Sequence, residues 1–186
     1  VDLNGCNADF AVGCGYKYQN GGPGAPAFLF VAKRHQGKEM QPLTGWWGDA
    51  APFAFERDYR PADTIWQMLT GTQPILSLSL LECGLDIMNR ADMTKVRQKS
   101  MALCDYFIQL VEHFCGDYGF RLVTPRKGTD RGSQVSFTHE KGFAIMQALI
   151  AANVVGDFRA PDIVRFGFTP LYVRYVDVWD AVMRLQ

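Results

Sequence analysis

The sequence has no excess of either charge: lysine plus arginine and aspartate plus glutamate both number 19, and the formal net charge is zero. A nucleic-acid binder needs a basic face, so this balance argues against one. No apolar run is long enough to cross a bilayer as a helix, and no signal-peptide pattern is visible, so no membrane partner is expected. The five cysteines (Cys6, Cys14, Cys83, Cys104 and Cys115) are odd in number and no two have CxxC spacing. That excludes a zinc knuckle, and scattered thiols fit a reducing cytoplasm; Cys14 reads as small core filler. His35, His113 and His139 show no metal spacing, so no metal site and no catalytic histidine is assigned. P-loop, GxSxG and GxGxxG patterns are also absent. The first residue is Val1 rather than methionine, and strand-like sequence follows almost at once. The chain therefore reads as the C-terminal part of something longer.

What is present is ordinary globular material: 186 residues, 48% hydrophobic and 20% charged, enough for one good core or two small ones. Phe10–Val12 and Ala27–Ala32 read as short buried strands flanking an irregular, glycine-rich middle. A helix is expected over Ala62–Leu69 and another from about Pro74 to Met88, with Thr72 as its cap and Ile75, Leu78, Leu81, Leu85 and Met88 along one face. Asp92 caps the longest predicted helix, which runs to about Phe114 on a stripe of Val96, Leu103, Phe107, Leu110 and Phe114. Beyond it come strands at Phe120–Thr124, Val135–Thr138 and Ile163–Phe168, with helices at Phe143–Ala152 and Val176–Leu185. A boundary near Asn89 separates a glycine-rich first part, 1–90, from a compact α+β second part, 91–186.

Four places can carry chemistry. Lys17 sits between the two strand-like runs at the head of Asn20-Gly21-Gly22-Pro23-Gly24. A lysine between packed strands is desolvated, which lowers its pKa and frees the amine to attack a carbonyl, as a Schiff-base lysine must. The competing reading is a surface lysine in a turn. Tyr16 beside it can donate to a phosphate or move a proton, or simply pack. Gly71-Thr72-Gln73 stands at a predicted helix N-terminus, where free N–H groups and a hydroxyl bind an anion or merely cap the helix. Trp46 and Trp47 lie between glycines and either line a pocket for an aromatic ligand or anchor a core. Arg165 lies mid-strand in Ile163-Val164-Arg165-Phe166-Gly167-Phe168 and needs a partner there. That partner is a bound carboxylate or an internal salt bridge. Period-two alternation puts Arg165 on one face with Ile163 and Gly167, and Val164, Phe166 and Phe168 on the other.

Taken together these stretches resemble the kynureninase family, with the bacterial form fitting best. Tyr16-Lys17-Tyr18 with Asn20-Gly21-Gly22-Pro23-Gly24-Ala25-Pro26-Ala27-Phe28 is similar to its cofactor-lysine segment, and Gly45-Trp46-Trp47-Gly48 to its aromatic cofactor segment. Gly71-Thr72-Gln73-Pro74 is similar to a phosphate-contacting turn. Gly156-Asp157-Phe158-Arg159-Ala160-Pro161-Asp162 and Arg165-Phe166-Gly167-Phe168-Thr169-Pro170-Leu171-Tyr172 resemble its C-terminal signature. The lysine and Gly-Thr segments alone would also suit cysteine desulfurases and class V aminotransferases. Two positions depart from the family: Asp49 and Gln134 stand where histidine is expected.

The resemblance implies an α/β fold of the pyridoxal-phosphate (PLP)-dependent transferase type, fold type I. Residues 1–90 would be the C-terminal part of the large cofactor-binding domain and 91–186 a small α+β domain. It implies pyridoxal 5'-phosphate on Lys17, with Tyr16 on the phosphate and moving protons. It also implies Trp46 on the phosphate, Thr72 on it from the neighbouring subunit, and Arg165 on the substrate α-carboxylate. The implied reaction is hydrolysis of L-kynurenine, or 3-hydroxykynurenine, to the anthranilate and L-alanine, in tryptophan catabolism and pyridine nucleotide biosynthesis. The implied assembly is a cytoplasmic homodimer with shared active sites. The family's cofactor-stacking aromatic and the aspartate facing the pyridine nitrogen would lie upstream of Val1. The competing reading is an inactive module that complements that upstream part.

Overall fold

The structure, a computed structural model, describes residues 1–38 and 41–186. The chain divides into two compact units, Val1–Arg90 and Ala91–Gln186.

In the first unit, β1 (Phe10–Cys14) pairs antiparallel with β2 (Ala27–Val31), from Phe10 opposite Val31 to Cys14 opposite Ala27. Both strands form where apolar and β-branched residues gather, but they are not buried as the sequence suggests. Val12 is 80% exposed, and Val31 is the one buried residue of the ribbon. Two strands have two faces, and this unit covers little of either. The helix expected over Ala62–Leu69 shrinks to a single 3-10 turn at Ile65–Met68. Thr64 is extended and accepts a hydrogen bond from the N–H of Trp66, so the turn starts late, and Leu69 is extended again. A stretch that short does not repay helix nucleation. Helix α1 then runs Ile75–Arg90.

The loop over residues 15–26 is fastened to α1 by missing side chains. A Cβ on Gly84 would sit 2.3 Å from the carbonyl oxygen of Gln19, and one on Gly21 would sit 2.7 Å from a methyl of Leu81. A glycine inside a helix costs about 0.5–1 kcal/mol relative to alanine; here it admits the loop backbone. Asn20, Gly22 and Gly24 take left-handed φ of 58°, 73° and 87°, the tight geometry that such a loop requires.

The second unit begins with α2 (Met93–Cys115), where the Asp92 carboxylate accepts from the N–H groups of Thr94 and Lys95, as the sequence predicts. Then follow β3 (Arg121–Leu122), β4 (Gln134–Thr138), α3 (Gly142–Ala151), β5 (Asp157–Arg159), β6 (Ile163–Gly167) and α4 (Tyr175–Leu185). The four strands form one antiparallel sheet in the order β3-β4-β6-β5. Strand β5 is missing from the sequence reading, because Asp-Phe-Arg holds no apolar run to reveal it. Val135, Phe137, Val164 and Phe166 point into the core with Leu103, Phe107 and Val111 of α2, Met146 and Leu149 of α3 and Val178 and Val182 of α4. The three helices thus cover one sheet face. On the other, Ser136, Thr138, Ile163 and Arg165 are half-buried and Gln134 and Gly167 exposed. Cys104 and Cys115 are buried, and burial pushes both thiols up, which leaves them inert packing groups.

The link from β3 to β4 is braced by groups the sequence does not single out. Arg131, its side chain 2% exposed, pairs with Asp105 on α2 and donates to the Pro125 carbonyl at 3.0 Å. Arg97 of α2 donates to the Arg131 carbonyl at 2.8 Å.

Two outcomes follow. Asp92→Ala should lower stability by about 1 kcal/mol, the usual cost of losing an N-cap, read from urea unfolding of the chain. Hydrogen bonds from Arg165 and Arg174 hold the carboxyls of Asp157 and Asp177 below the usual carboxylate range. Their contribution is present above an unfolded value of about 3.9 and lost as pH falls through the lower folded values. Melting temperature should therefore begin to fall below about pH 4, and Asp177→Asn should lessen that fall.

Candidate functional site

The lysine turn is built from backbone. The Lys17 carbonyl accepts from the Asn20 N–H at 3.0 Å, the Gly15 carbonyl from the Gly21 N–H at 3.0 Å, and the Pro26 carbonyl from the Gly15 N–H at 3.0 Å. These bonds close the loop and present Tyr16, Lys17 and Tyr18 at its exposed tip. Lys17 Nζ lies 5.2 Å from the Tyr16 ring centroid, within cation–π range. The desolvation expected of a lysine clamped between packed strands is not found. Lys17 lies beyond the end of β1 in the connecting loop, and the ribbon beside it is open.

A second cluster forms from two distant stretches. A Cβ on Gly45 would lie 1.8 Å from the Thr70 carbonyl oxygen, so only glycine lets the two backbones meet. Next to that contact, a Cβ on Gly71 would lie 3.8 Å from Trp46 Nε1. The indole nitrogen therefore lies close to Gly71. Trp46 is 47% exposed and Thr72 is exposed. Thr72 does not cap α1 as expected: the Pro74 carbonyl accepts the first helical bond, from the Leu78 N–H at 3.0 Å, leaving Thr72 two residues outside. Neither the Trp46 indole N–H nor the Thr72 hydroxyl has a partner among the described residues, and both residues are exposed.

Trp47 turns the other way. Edge-on to Trp46, with centroids 4.4 Å apart, it lines an open cleft of about 610 Å³ with Asp49, Phe53, Pro61 and Trp66. Asp49 is taken up locally. Its carboxylate accepts from the N–H groups of Arg60 at 2.8 Å and Ala51 at 2.7 Å, and those bonds hold the carboxyl below its ordinary range. It closes the excursion between residues 49 and 61, which no histidine would do in the same way.

Arg165 stands on the open face of the second unit, as the alternation predicts, with Val164, Phe166 and Phe168 buried on the other side. Both partners weighed for it from sequence bear on what is found, and the internal one is present. Asp157, directly opposite on β5, accepts from Arg165 Nε at 2.7 Å and also from Nη2. The sequence reading includes Asp157 in the C-terminal signature but gives it no role; the charge–aromatic–charge order of Asp157-Phe158-Arg159 is the signal that could have placed it on an edge strand. Arg165 stays 30% exposed at its side chain, and a Cβ on Gly167 would meet nothing within 4 Å, so the face above is open.

Residues 96–185 match the family model for the kynureninase C-terminal domain. All 186 residues are 58% identical to a curated kynureninase of Burkholderia mallei (strain SAVP1), spanning 45% of its length. The chain is 52% identical over 185 residues to that of Pseudomonas fluorescens, spanning 44% of it. Thus it covers less than half the length of these relatives. Among solved structures, the cystine C-S lyase C-DES in complex with cysteine persulfide superposes with a TM-score of 0.82 at 16% identity, over 100% of this chain and 48% of that one. An apo cysteine desulfurase from Thermococcus onnurineus NA1 gives 0.76 at 16% identity, over 98% and 48%. These likenesses establish the fold as type I of the PLP-dependent enzymes. By sequence the chain is similar along its whole length to the C-terminal part of curated kynureninases, and its second unit carries the match to the kynureninase C-terminal domain.

Proposed function

We propose that the enzyme containing this chain hydrolyses L-kynurenine or 3-hydroxykynurenine to the anthranilate and L-alanine, using pyridoxal 5'-phosphate. The observation that carries the reading is 58% identity to a curated kynureninase along all 186 residues. The residues present suit the cofactor. Lys17 lies at an exposed loop tip, and in the same loop Gly22 and Gly24 have nothing within 4 Å of an added Cβ. The Trp46 indole and the Thr72 hydroxyl are two unfilled donors of the kind a phosphate takes.

In this reading Lys17 is the point of covalent attachment and afterwards the base that removes the substrate α-proton. PLP, when bound, supplies the electron sink for carbanion chemistry at the amino-acid carbons. The Tyr16 hydroxyl donates to the phosphate and moves a proton during carbon–carbon cleavage. The nearness of the Trp46 indole nitrogen to Gly71 supports Trp46 and Thr72 reaching the phosphate from the same subunit of a homodimer, where the resemblance implies that Thr72 alone comes from the neighbour. Arg165 holds the α-carboxylate. The first unit acts as the end of the large cofactor-binding domain and the second as the small domain. The exposed apolar residues of the ribbon and α1, among them Val12, Phe28, Leu29, Ile75 and Leu76, support packing of the first unit against the remainder of the enzyme. No helix of the described residues is long and apolar enough to cross a membrane, which suits the proposed cytoplasmic site of action.

Borohydride reduction of the cofactor-loaded enzyme followed by peptide mapping should place the adduct on Lys17. An adduct on Lys33 or Lys38 would remove the assignment. Thr72→Ala and Trp46→Phe should each weaken cofactor binding by roughly 1–3 kcal/mol, the range for a hydrogen bond to a charged group, with melting temperature of the apo form nearly unchanged. Unchanged cofactor affinity in both variants would mean that the pair of donors serves something else.

A further inference from the structure

Arg165 has five N–H donors, and the way two of them are spent sets what the others can do. Asp157 sits on the side edge of the guanidinium, taking Nε at 2.7 Å and one N–H of Nη2. The end edge, formed by Nη1 and the second N–H of Nη2, has no partner among the described residues. It stands on the open sheet face, with Arg165 30% and Asp157 44% exposed at the side chain. A planar guanidinium can hold two carboxylates at once, one on each edge.

From this we propose that Asp157 is a positioning residue for substrate: it grips the side edge of Arg165 so that the end edge is held ready for the α-carboxylate. The inference rests on the proposed amino-acid substrate and extends it to a residue that does not touch that substrate. A long arginine stem has several rotamers, and a site that must order it during binding loses affinity to that ordering. Here the ordering is done in advance by a directly opposed strand neighbour, on a ladder whose register fixes the pair. The objection is that Asp157 repels an incoming carboxylate. Arg159 answers it: its guanidinium lies 3.2 Å from the same Asp157 carboxylate, so two cations flank one anion and the cluster stays net positive. The Arg165 hydrogen bonds keep Asp157 ionised, and Asp157 in turn pushes Arg165 further up.

The test uses the assembled, cofactor-loaded enzyme and L-alanine as probe. A crystal structure with L-alanine should show its carboxylate on the Nη1–Nη2 edge while Asp157 keeps Nε. A carboxylate that displaces Asp157, or that avoids Arg165, overturns the proposal without any variant. By calorimetry, Asp157→Asn should weaken L-alanine tenfold or more and leave ethylamine, which lacks the carboxylate, within twofold of wild type. Asp157→Glu, which keeps an anion opposite Arg165, should recover part of the loss. Unchanged or tighter L-alanine binding in Asp157→Asn, or equal weakening of both probes, overturns it. If wild-type enzyme binds L-alanine through Arg165 yet does not hydrolyse kynurenine, the proposed reaction falls and the role of Asp157 stands.

Discussion

The alternation of strand β6 is the constraint on which the second unit turns. A pleated strand sends neighbouring side chains to opposite faces, so five residues serve two environments at once. Val164 and Phe166 are drawn into contact with α2 and enclosed by α3 and α4, while Arg165 between them must face out. Slipping the strand by one residue would bury a guanidinium and expose two core side chains, which the apolar burial forbids. The core thereby sets the direction of the Arg165 guanidinium. Burial of Phe137 beside Phe107 and Val164 locks β4 next to β6 in the same register. The open face inherits its geometry from packing on the opposite side.

The first unit works by close backbone approach instead of a large core. Gly84, Gly21 and Gly45 are each placed where a Cβ would strike backbone or a packed neighbour. They let loop meet helix, and loop meet loop, at distances that no other residue permits. Two exposed surfaces result, the tip carrying Tyr16 and Lys17 and the patch where Trp46 meets Gly71. Neither is deeply buried. Such loops hold chemistry well because their backbones are tied down while their side chains remain accessible.

The contrast between Asp49 and Asp157 shows how one residue type is put to opposite uses. Asp49 accepts from two backbone N–H groups eleven residues and two residues away, and so shapes its own loop. Asp157 meets two guanidinium groups across and along the sheet, and so shapes the electrostatics of a face. Both carboxyls are held below their ordinary range, one by amides and one by an arginine. A lowered pKa alone does not separate a structural carboxylate from one that orders a binding group; the partner does.

Much of the second unit was legible in the chain itself. Long amphipathic stripes, an aspartate cap before α2 and the alternation in β6 are local signals, set by 3.6- and 2-residue periods that need no knowledge of neighbours. The motif segments around Lys17, Trp46, Thr72 and Arg165 were likewise legible, because each is a short run of unusual residues. What only the tertiary structure decided is pairing. Strand β5 exists because β6 offers it an edge, and Asp157 finds Arg165 because the register sets them opposite. The Trp46 indole reaches Gly71 because Gly45 passes against Thr70. The exposure of β1, β2 and Lys17 was misread for the same reason: apolar residues in a strand signal a face to be covered, and the sequence of the strand does not say what covers it.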